Sequence, residues 1–264
     1  MAAVNDENAG SQAFIADYWP AITPRHKLTD KHRILRDLIG VTHDQKYYQV
    51  ASPNSLAERL VISARDRIYA DFIAHMRPSQ HDRILDVGVS DVVGDAANVL
   101  ERCYPYARNI TACGLGEGSG FQRAFPDVAY VRIEPNVELP FDNRSFAVAT
   151  ANAVLEHVGS RENQAFFVRE LCRVANRVFI SVPNCYFPIE HHTALPLLHY
   201  QNGLFRIACR LSGKSEWARE ENLILMSRKW LWELAESITD RAATVGYTGL
   251  VLGPFSSNLY LALQ

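Results

Sequence analysis

Apolar residues first fall into a regular pattern at Leu56, Leu60, Val61, Ala64, Ile68 and Phe72, the spacing of one helical face. Ser55, with Glu58 three residues on, forms a capping box ahead of that face, and Pro78 stops it, so a helix is predicted to end near Met76. Beyond Pro78 the rhythm changes. Short apolar runs of strand length lie at residues 84–87, 110–113, 128–133, 146–151 and 178–182. Helical patterns separate most of them, at 92–103, around 120–124 and at 162–174. Strands alternating with helices predict a doubly wound α/β domain, its sheet mostly parallel with helices on both faces. A further helix is predicted over 228–237, with Trp230 and Trp232 packing it. Residues 249–263 read as two strands joined by a turn at 253–258, a terminal antiparallel hairpin.

Two stretches break the alternation. Residues 1–12 are small and polar, and 13–54 mix aromatics, prolines and charges, which predicts a partly helical N-terminal extension over 1–54. Residues 183–225 hold Pro183, Pro188 and Pro196, several aromatics and the run Glu190-His191-His192. Forty residues exceed a simple connection, so an inserted cap is expected within a domain spanning 55–264.

Composition narrows the function classes. Hydrophobic residues make up 48% and charged residues 21%, the range of a globular chain. A net charge of −2 gives no general attraction to nucleic acid, and no such partner is expected. The five cysteines are odd in number and none forms a C-x-x-C pair, which favours a reducing compartment and a cytoplasmic location. The polar, acidic start is unlike a signal peptide, and no apolar run reaches the roughly 18 residues a membrane span needs. Contact with a membrane surface stays open.

The stretch Asp86-Val-Gly88-Val-Ser90-Asp91 carries the first chemical signal. A dinucleotide fingerprint would want glycine at 88, 90 and 93, but Ser90 and Val93 stand at two of those positions. An acid at a strand tip beside a glycine turn instead suits a nucleoside ligand bearing a positive charge and no phosphate. Plainer roles compete. Asp86, Ser90 or Asp91 would each serve as a helix cap, Asn152 as a turn residue and Glu117 as a solvated loop acid.

Ile-Leu-Asp86-Val-Gly88 resembles the first motif of class I S-adenosylmethionine-dependent methyltransferases. Residues 139–146 (Leu-Pro-Phe-Asp-Asn-Arg-Ser-Phe) and 152–158 (Asn-Ala-Val-Leu-Glu-His-Val) resemble the segments entering and leaving that family's fourth strand. The resemblance covers about residues 56–264 and is to the small-molecule branch, the methyltransferase type 11 family. It implies a Rossmann-like fold of seven strands and S-adenosyl-L-methionine as cofactor. The implied cofactor-binding set is Asp86, Gly88, Ser90, Asp91, Gly114, Leu115, Glu117, Asn152 and Ala153. One departure stands out: glycine, Gly114, holds the end of strand two, where the family carries a ribose-gripping acid, and Glu117 would have to reach back.

The implied activity is methyl transfer to a small-molecule or glycan-linked acceptor, at a hydroxyl oxygen. The alternative is a catalytically degenerate methyltransferase-like binding or scaffold protein. Candidate bases are His191 and His192 with Glu190 as orienter, and His157. Adjacent histidines do not share a face of a helix or strand, and no third ligand stands at a characteristic spacing, so no metal site is expected.

Overall fold

The computed structural model describes residues 56–91, 98–189, 197–211, 217, 219 and 222–264. The expected N-terminal extension, the Ser55–Glu58 capping box and the Glu190-His191-His192 run lie outside the described residues or side chains.

Seven strands form one sheet: β1 (Ile84–Val87), β2 (Ile110–Gly114), β3 (Ala129–Arg132), β4 (Phe146–Asn152), β5 (Ala175–Pro183), β6 (Ala243–Leu252) and β7 (Phe255–Leu263). Their order is β3-β2-β1-β4-β5-β7-β6. The first five run parallel, while β7 inserts antiparallel between β5 and β6. Sequence order reverses direction between β1 and β4, which makes their carboxyl ends the topological switch point, the crevice where open α/β sheets bind ligands. Asp86 of β1 sits in register there with Thr150 of β4.

Strand alternation divides the core in two. On one face, α4 (Arg161–Val174) and α6 (Arg228–Ile238) bury Val168, Leu171, Leu231 and Leu234 against Leu85, Ala149 and Ile180. On the other, α1 (Leu56–Met76), α2 (Val99–Cys103) and α3 (Ser119–Ala124) bury Ile68, Phe72, Leu100 and Phe121 against Ile84, Val148 and Phe179. Phe179 anchors this second layer, edge-on to Phe72 at 5.7 Å and stacked on Tyr260 at 5.6 Å. Because Asp86 follows Ile84 by two, its carboxyl also points to the α1 face.

Several expectations shift. The α1 stripe is buried from Ala64 onward, through Ile68, Tyr69, Phe72 and Met76, whereas Leu60 and Val61 are exposed. The hairpin turn is Gly253-Pro254 alone, and β6 begins six residues before Gly249. Trp230 packs as expected, under the Arg161 guanidinium at 3.7 Å and donating to Gln164 at 2.9 Å, but Trp232 faces outward, 41% exposed. Among the described residues of the stretch expected as a cap, 183–225, there are a 3-10 turn at Leu198–Tyr200 and α5 (Asn202–Leu211).

The connection into β4 is pinned by a charged clamp. Glu170 of α4 accepts from the Leu139 backbone N–H at 2.9 Å and pairs with Arg173 at 2.8 Å. Arg173 also donates to the carbonyls of Leu139 and Phe141 and to Asn143. The Arg173 hydrogen bonds hold the Glu170 carboxyl below the usual carboxylate range. Arg173→Met should therefore destabilise the fold by about 2–4 kcal/mol, since it strands a largely buried carboxylate and two carbonyls. The sign with pH follows from the depressed value. The clamp's stability is present above the unfolded glutamate value, near ~4.3, and is lost as pH falls through the folded one. Urea midpoints at pH 7 and pH 3 that change equally on mutation would refute this account of the clamp.

Candidate functional site

The glycine turn after β1 is built from contacts that cross the sheet. Gly88 and Val89 both donate their backbone N–H to the Cys113 carbonyl of β2, at 2.8 and 3.0 Å. Gly88 has φ +100°, and a Cβ there would lie 2.2 Å from the Val154 side chain. Only glycine fits a left-handed position pressed against the chain leaving β4. Asn98 then clasps Ser90 from behind: its Oδ1 accepts from the Ser90 N–H at 2.9 Å and its Nδ2 donates to the Ser90 carbonyl at 2.8 Å. Asn98 itself holds φ +52°, a conformation asparagine tolerates better than most residues. Asp91 does cap a helix, α3. Its Oδ1 accepts from the Phe121 N–H of α3 at 2.8 Å, tying the β1 turn to the β2 turn.

Asp86, eight per cent exposed, lines a cavity beside this turn. It lies within β1 rather than capping a helix. Gly88, Val89, Asn98, Thr150 and Asn152 line the same cavity, together with Arg65, Tyr69 and Phe72 of α1. The cavity thus pairs one carboxyl with one guanidinium. Burial raises the Asp86 carboxyl to about 7, opposed by the neighbouring Glu101 carboxyl and by the Arg65 charge. Glu101 of α2 is buried as well, and burial followed by the Asp86 charge pushes it well above the usual range. Both Glu101 carboxyl oxygens are buried, and neither has a hydrogen-bond partner among the described residues.

The β2 side of the site is closed differently from expectation. Tyr130 of β3 lies over the turn and donates its hydroxyl to the Gly116 carbonyl at 2.8 Å. A Cβ on Gly114 would meet that hydroxyl at 2.7 Å, and one on Gly118 would meet the ring. Leu115 is 55% exposed. Glu117 is exposed at the rim and ion-paired with Arg132.

At the end of β4, Asn152 accepts from the Ser181 hydroxyl, and Ala153 adopts φ +57° with its N–H bonded to the Ser181 carbonyl. The chain then makes a 3-10 turn, Leu155–His157. The His157 Nδ1 lies 2.7 Å from the Asn222 carbonyl, which can only accept, so Nδ1 carries a proton. Glu156, fully buried, has an oxygen 3.9 Å from Nε2. The His157 ring also contacts Trp217, at 5.9 Å.

The structure therefore gathers Asp86, Gly88 and Asn152 around one cavity, with Ser90 and Asp91 bracing its turn. Gly114, Leu115 and Glu117 lie along the neighbouring strand end. Arg65, Asn98, Glu101 and Tyr130 were missed by sequence reasoning. Arg65 had a signal: with Ile68, Tyr69 and Phe72 it falls at i, i+3, i+4 and i+7, a cation on an apolar stripe. Glu101 and Asn98 had none, since a helix pattern hides which face an isolated polar residue takes. Among the described residues no group of three or more His, Cys, Asp or Glu is placed to hold a metal ion.

No family model and no curated protein sequence matches the chain. Its fold does match solved structures. A SAM-dependent methyltransferase from Aquifex aeolicus aligns over 85% of this chain and 100% of its own, with a TM-score of 0.52 and 12% identity. The CurJ carbon methyltransferase aligns over 100% of this chain and 72% of its own, with a TM-score of 0.52 and 15% identity. The methyltransferase domain of a bacterial CtHen1 aligns over 77% and 98%, with a TM-score of 0.50 and 12% identity. At such identities the likeness is one of fold. The chain has the Rossmann-like fold of the class I SAM-dependent methyltransferases, with the seven-stranded sheet and antiparallel closing hairpin.

A carboxyl raised from 3.8 to about 7 opposes folding at neutral pH, because the unfolded chain ionises it freely. The penalty is absent below the unfolded value, grows as pH rises towards 7 and is full above it. Asp86→Asn should thus stabilise the fold at pH 8 by a few kcal/mol, since each pH unit separating the folded from the unfolded value is worth about 1.4 kcal/mol. The gain should shrink as pH falls below 6. Urea denaturation at pH 5 and pH 8 measures it; an equal loss at both would mean that Asp86 holds the fold together.

Proposed function

We propose that the chain is an S-adenosyl-L-methionine-dependent methyltransferase acting on a small-molecule or glycan-linked acceptor, at a hydroxyl oxygen. The observation that carries this reading is the cavity at the switch point, where Asp86 and Arg65 stand together beside the Gly88 turn. An acid and a guanidinium in one cavity match the ammonium and carboxylate of an amino-acid moiety. The fold adds weight as analogy. Bound there, the cofactor would supply a methyl group already activated on a sulfonium.

The residues of this chain then have separable tasks. Asp86 would hold the ammonium, with the buried Glu101 carboxyl as its neighbour. Arg65 would take the carboxylate. The Gly88–Asp91 turn, clasped by Asn98, would meet the ligand with backbone, and Asn152 and Ala153 would line the methyl end. Gly114, Leu115 and Glu117 would border the ribose. Alignment of donor and acceptor is the main requirement, since the methyl is a good electrophile before it binds. A base need only accept the acceptor's hydroxyl proton as the new C–O bond forms. His157 is one candidate, since its Nδ1 proton faces the Asn222 carbonyl and its Nε2 would be left to accept. His191 and His192, with Glu190, are the competing candidates in a cap over the acceptor side.

The second reading, a binding protein without turnover, draws support from the β2 end. No acid ends that strand, and Glu117 is engaged with Arg132.

Calorimetric titration with S-adenosylmethionine and S-adenosylhomocysteine tests the main reading. Both should bind, and Asp86→Asn should weaken binding by about 1.5–3 kcal/mol, a hydrogen bond to a charged group. Because a bound cation needs Asp86 ionised, affinity should fall as pH drops below about 7, where the free carboxyl takes up its proton. Heat with NAD and none with either S-adenosyl compound would reject the proposal.

Mass analysis of products against hydroxylated sugars and phenols separates turnover from binding alone. With a true acceptor in hand, His191→Ala or His192→Ala should cut turnover roughly 100-fold if that pair supplies the base. Cofactor affinity should stay unchanged. Full turnover in both variants would pass the role to His157.

A further inference from the structure

Helix α5 carries three distinct stripes. Phe205 and Cys209, at i and i+4, are buried in a small cluster with Trp217 and Leu223. Leu204, Ile207 and Leu211, at i, i+3 and i+7, form a second apolar stripe that no described residue covers: they are 48%, 53% and 84% exposed. Tyr200, 45% exposed, stands in the 3-10 turn just ahead of the helix. Arg206 and Arg210 form the third, also exposed, roughly a quarter-turn or more from the apolar one. Large exposed apolar patches are uncommon on soluble monomers and mark interaction sites.

We propose that α5 and the Tyr200 turn dock on the surface of an anionic lipid bilayer. The charge pattern selects this occupant. The chain as a whole is slightly acidic, at −2, yet from residue 191 to 215 it contains no Asp or Glu, and its cations there include Arg206, Arg210 and Lys214. An apolar stripe flanked by arginines suits the boundary between headgroups and acyl chains: the aliphatic residues enter and the guanidinium groups reach back to lipid phosphates. A second copy of the chain fits less well. Symmetric pairing of the stripe would bring two Arg206–Arg210 pairs towards each other across one interface. The helix is far too short to span a membrane, so the contact is interfacial.

The stripe is also tied to the ligand rim. Tyr200 donates its hydroxyl to the Tyr186 carbonyl at 2.8 Å, and the Leu197 N–H donates to the Pro188 carbonyl at 2.8 Å. Both acceptors lie just past β5, whose carboxyl end borders the switch-point crevice. Docking through α5 would place that rim near the lipid surface, whatever reaction occurs there.

Co-sedimentation of the full chain with vesicles tests the proposal without any methyl donor. The chain should partition onto phosphatidylcholine vesicles containing phosphatidylglycerol, weakly or not at all onto phosphatidylcholine alone, and less as salt rises. Arg206→Gln and Arg210→Gln should each lower partition about fivefold, the factor for one basic residue near an anionic surface. Ile207→Asp should lower it at least tenfold. Because these side chains face solvent, all three variants should keep the wild-type thermal midpoint. The proposal is overturned if the wild type ignores the mixed vesicles at low salt, or binds neutral vesicles equally well. It is also overturned if the arginine variants partition like wild type, or if Ile207→Asp instead dissociates a dimer in sedimentation equilibrium.

Discussion

A single buried carboxyl, Asp86 at the switch point, sets the terms for everything around it. Removing a carboxylate from water costs several kcal/mol unless something takes its charge. The chain meets that cost only in part. Arg65 offers a nearby charge, yet burial still holds the carboxyl up at about 7. Cys113, beside it on β2, is pushed up to about 12 by burial and by the same negative charge, which keeps that thiol inert. An internal position selected for stability alone would carry a leucine here, as the neighbouring Leu85 does on the opposite face. The retained acid is a local conflict between folding and something else, the kind of conflict that marks a ligand site.

The surrounding architecture holds this carboxyl still. The β1 turn is bonded to β2 through Cys113, wedged by Val154 from the β4 exit, clasped by Asn98 and stapled to α3 by Asp91. Each tie comes from a different element, so the turn cannot shift without disturbing several layers. Sites held on rigid elements by a second layer of bonds lose little entropy on binding. The energetic logic is consistent. The core and clamps such as Glu170–Arg173 supply the stability that the buried acid pair draws down.

Most of the fold was legible because periodicity and burial agree in it. Strands such as Ile84–Val87 and Phe146–Asn152 are short apolar runs buried on both faces, and α4 announces itself by its stripe and its Ser160 cap. Boundaries slipped where polar residues continue a strand. Residues 243–248 begin β6 without an apolar run to mark them, because half of their side chains face solvent. At the site, Asp86, Gly88 and Asn152 were legible since their residue types are unusual at strand ends. Glu101, Asn98 and Tyr130 were not. Their roles arise from contacts between elements distant in sequence, and nothing local distinguishes a buried glutamate on a helix from a solvated one.

The segment past β5 follows a different physical regime from the switch-point crevice. Around Asp86 the chain is packed on both faces of a sheet, and polar groups there are bonded across strands. Past β5, the ends of the described segment are tied to the sheet, through Asn184 on Ser256 and Ser257 and Ile224 on Glu156, while its middle rests on the small cluster of Phe205, Cys209, Trp217 and Leu223. Local stability scales with buried apolar contacts, so a segment held by a small cluster opens at lower cost than the sheet does. His157 lies where the two regimes meet. Its Nδ1 proton is committed to the Asn222 carbonyl, past β5, while its backbone sits on the turn that leaves β4. Movement of that segment would therefore act directly on the orientation of the ring.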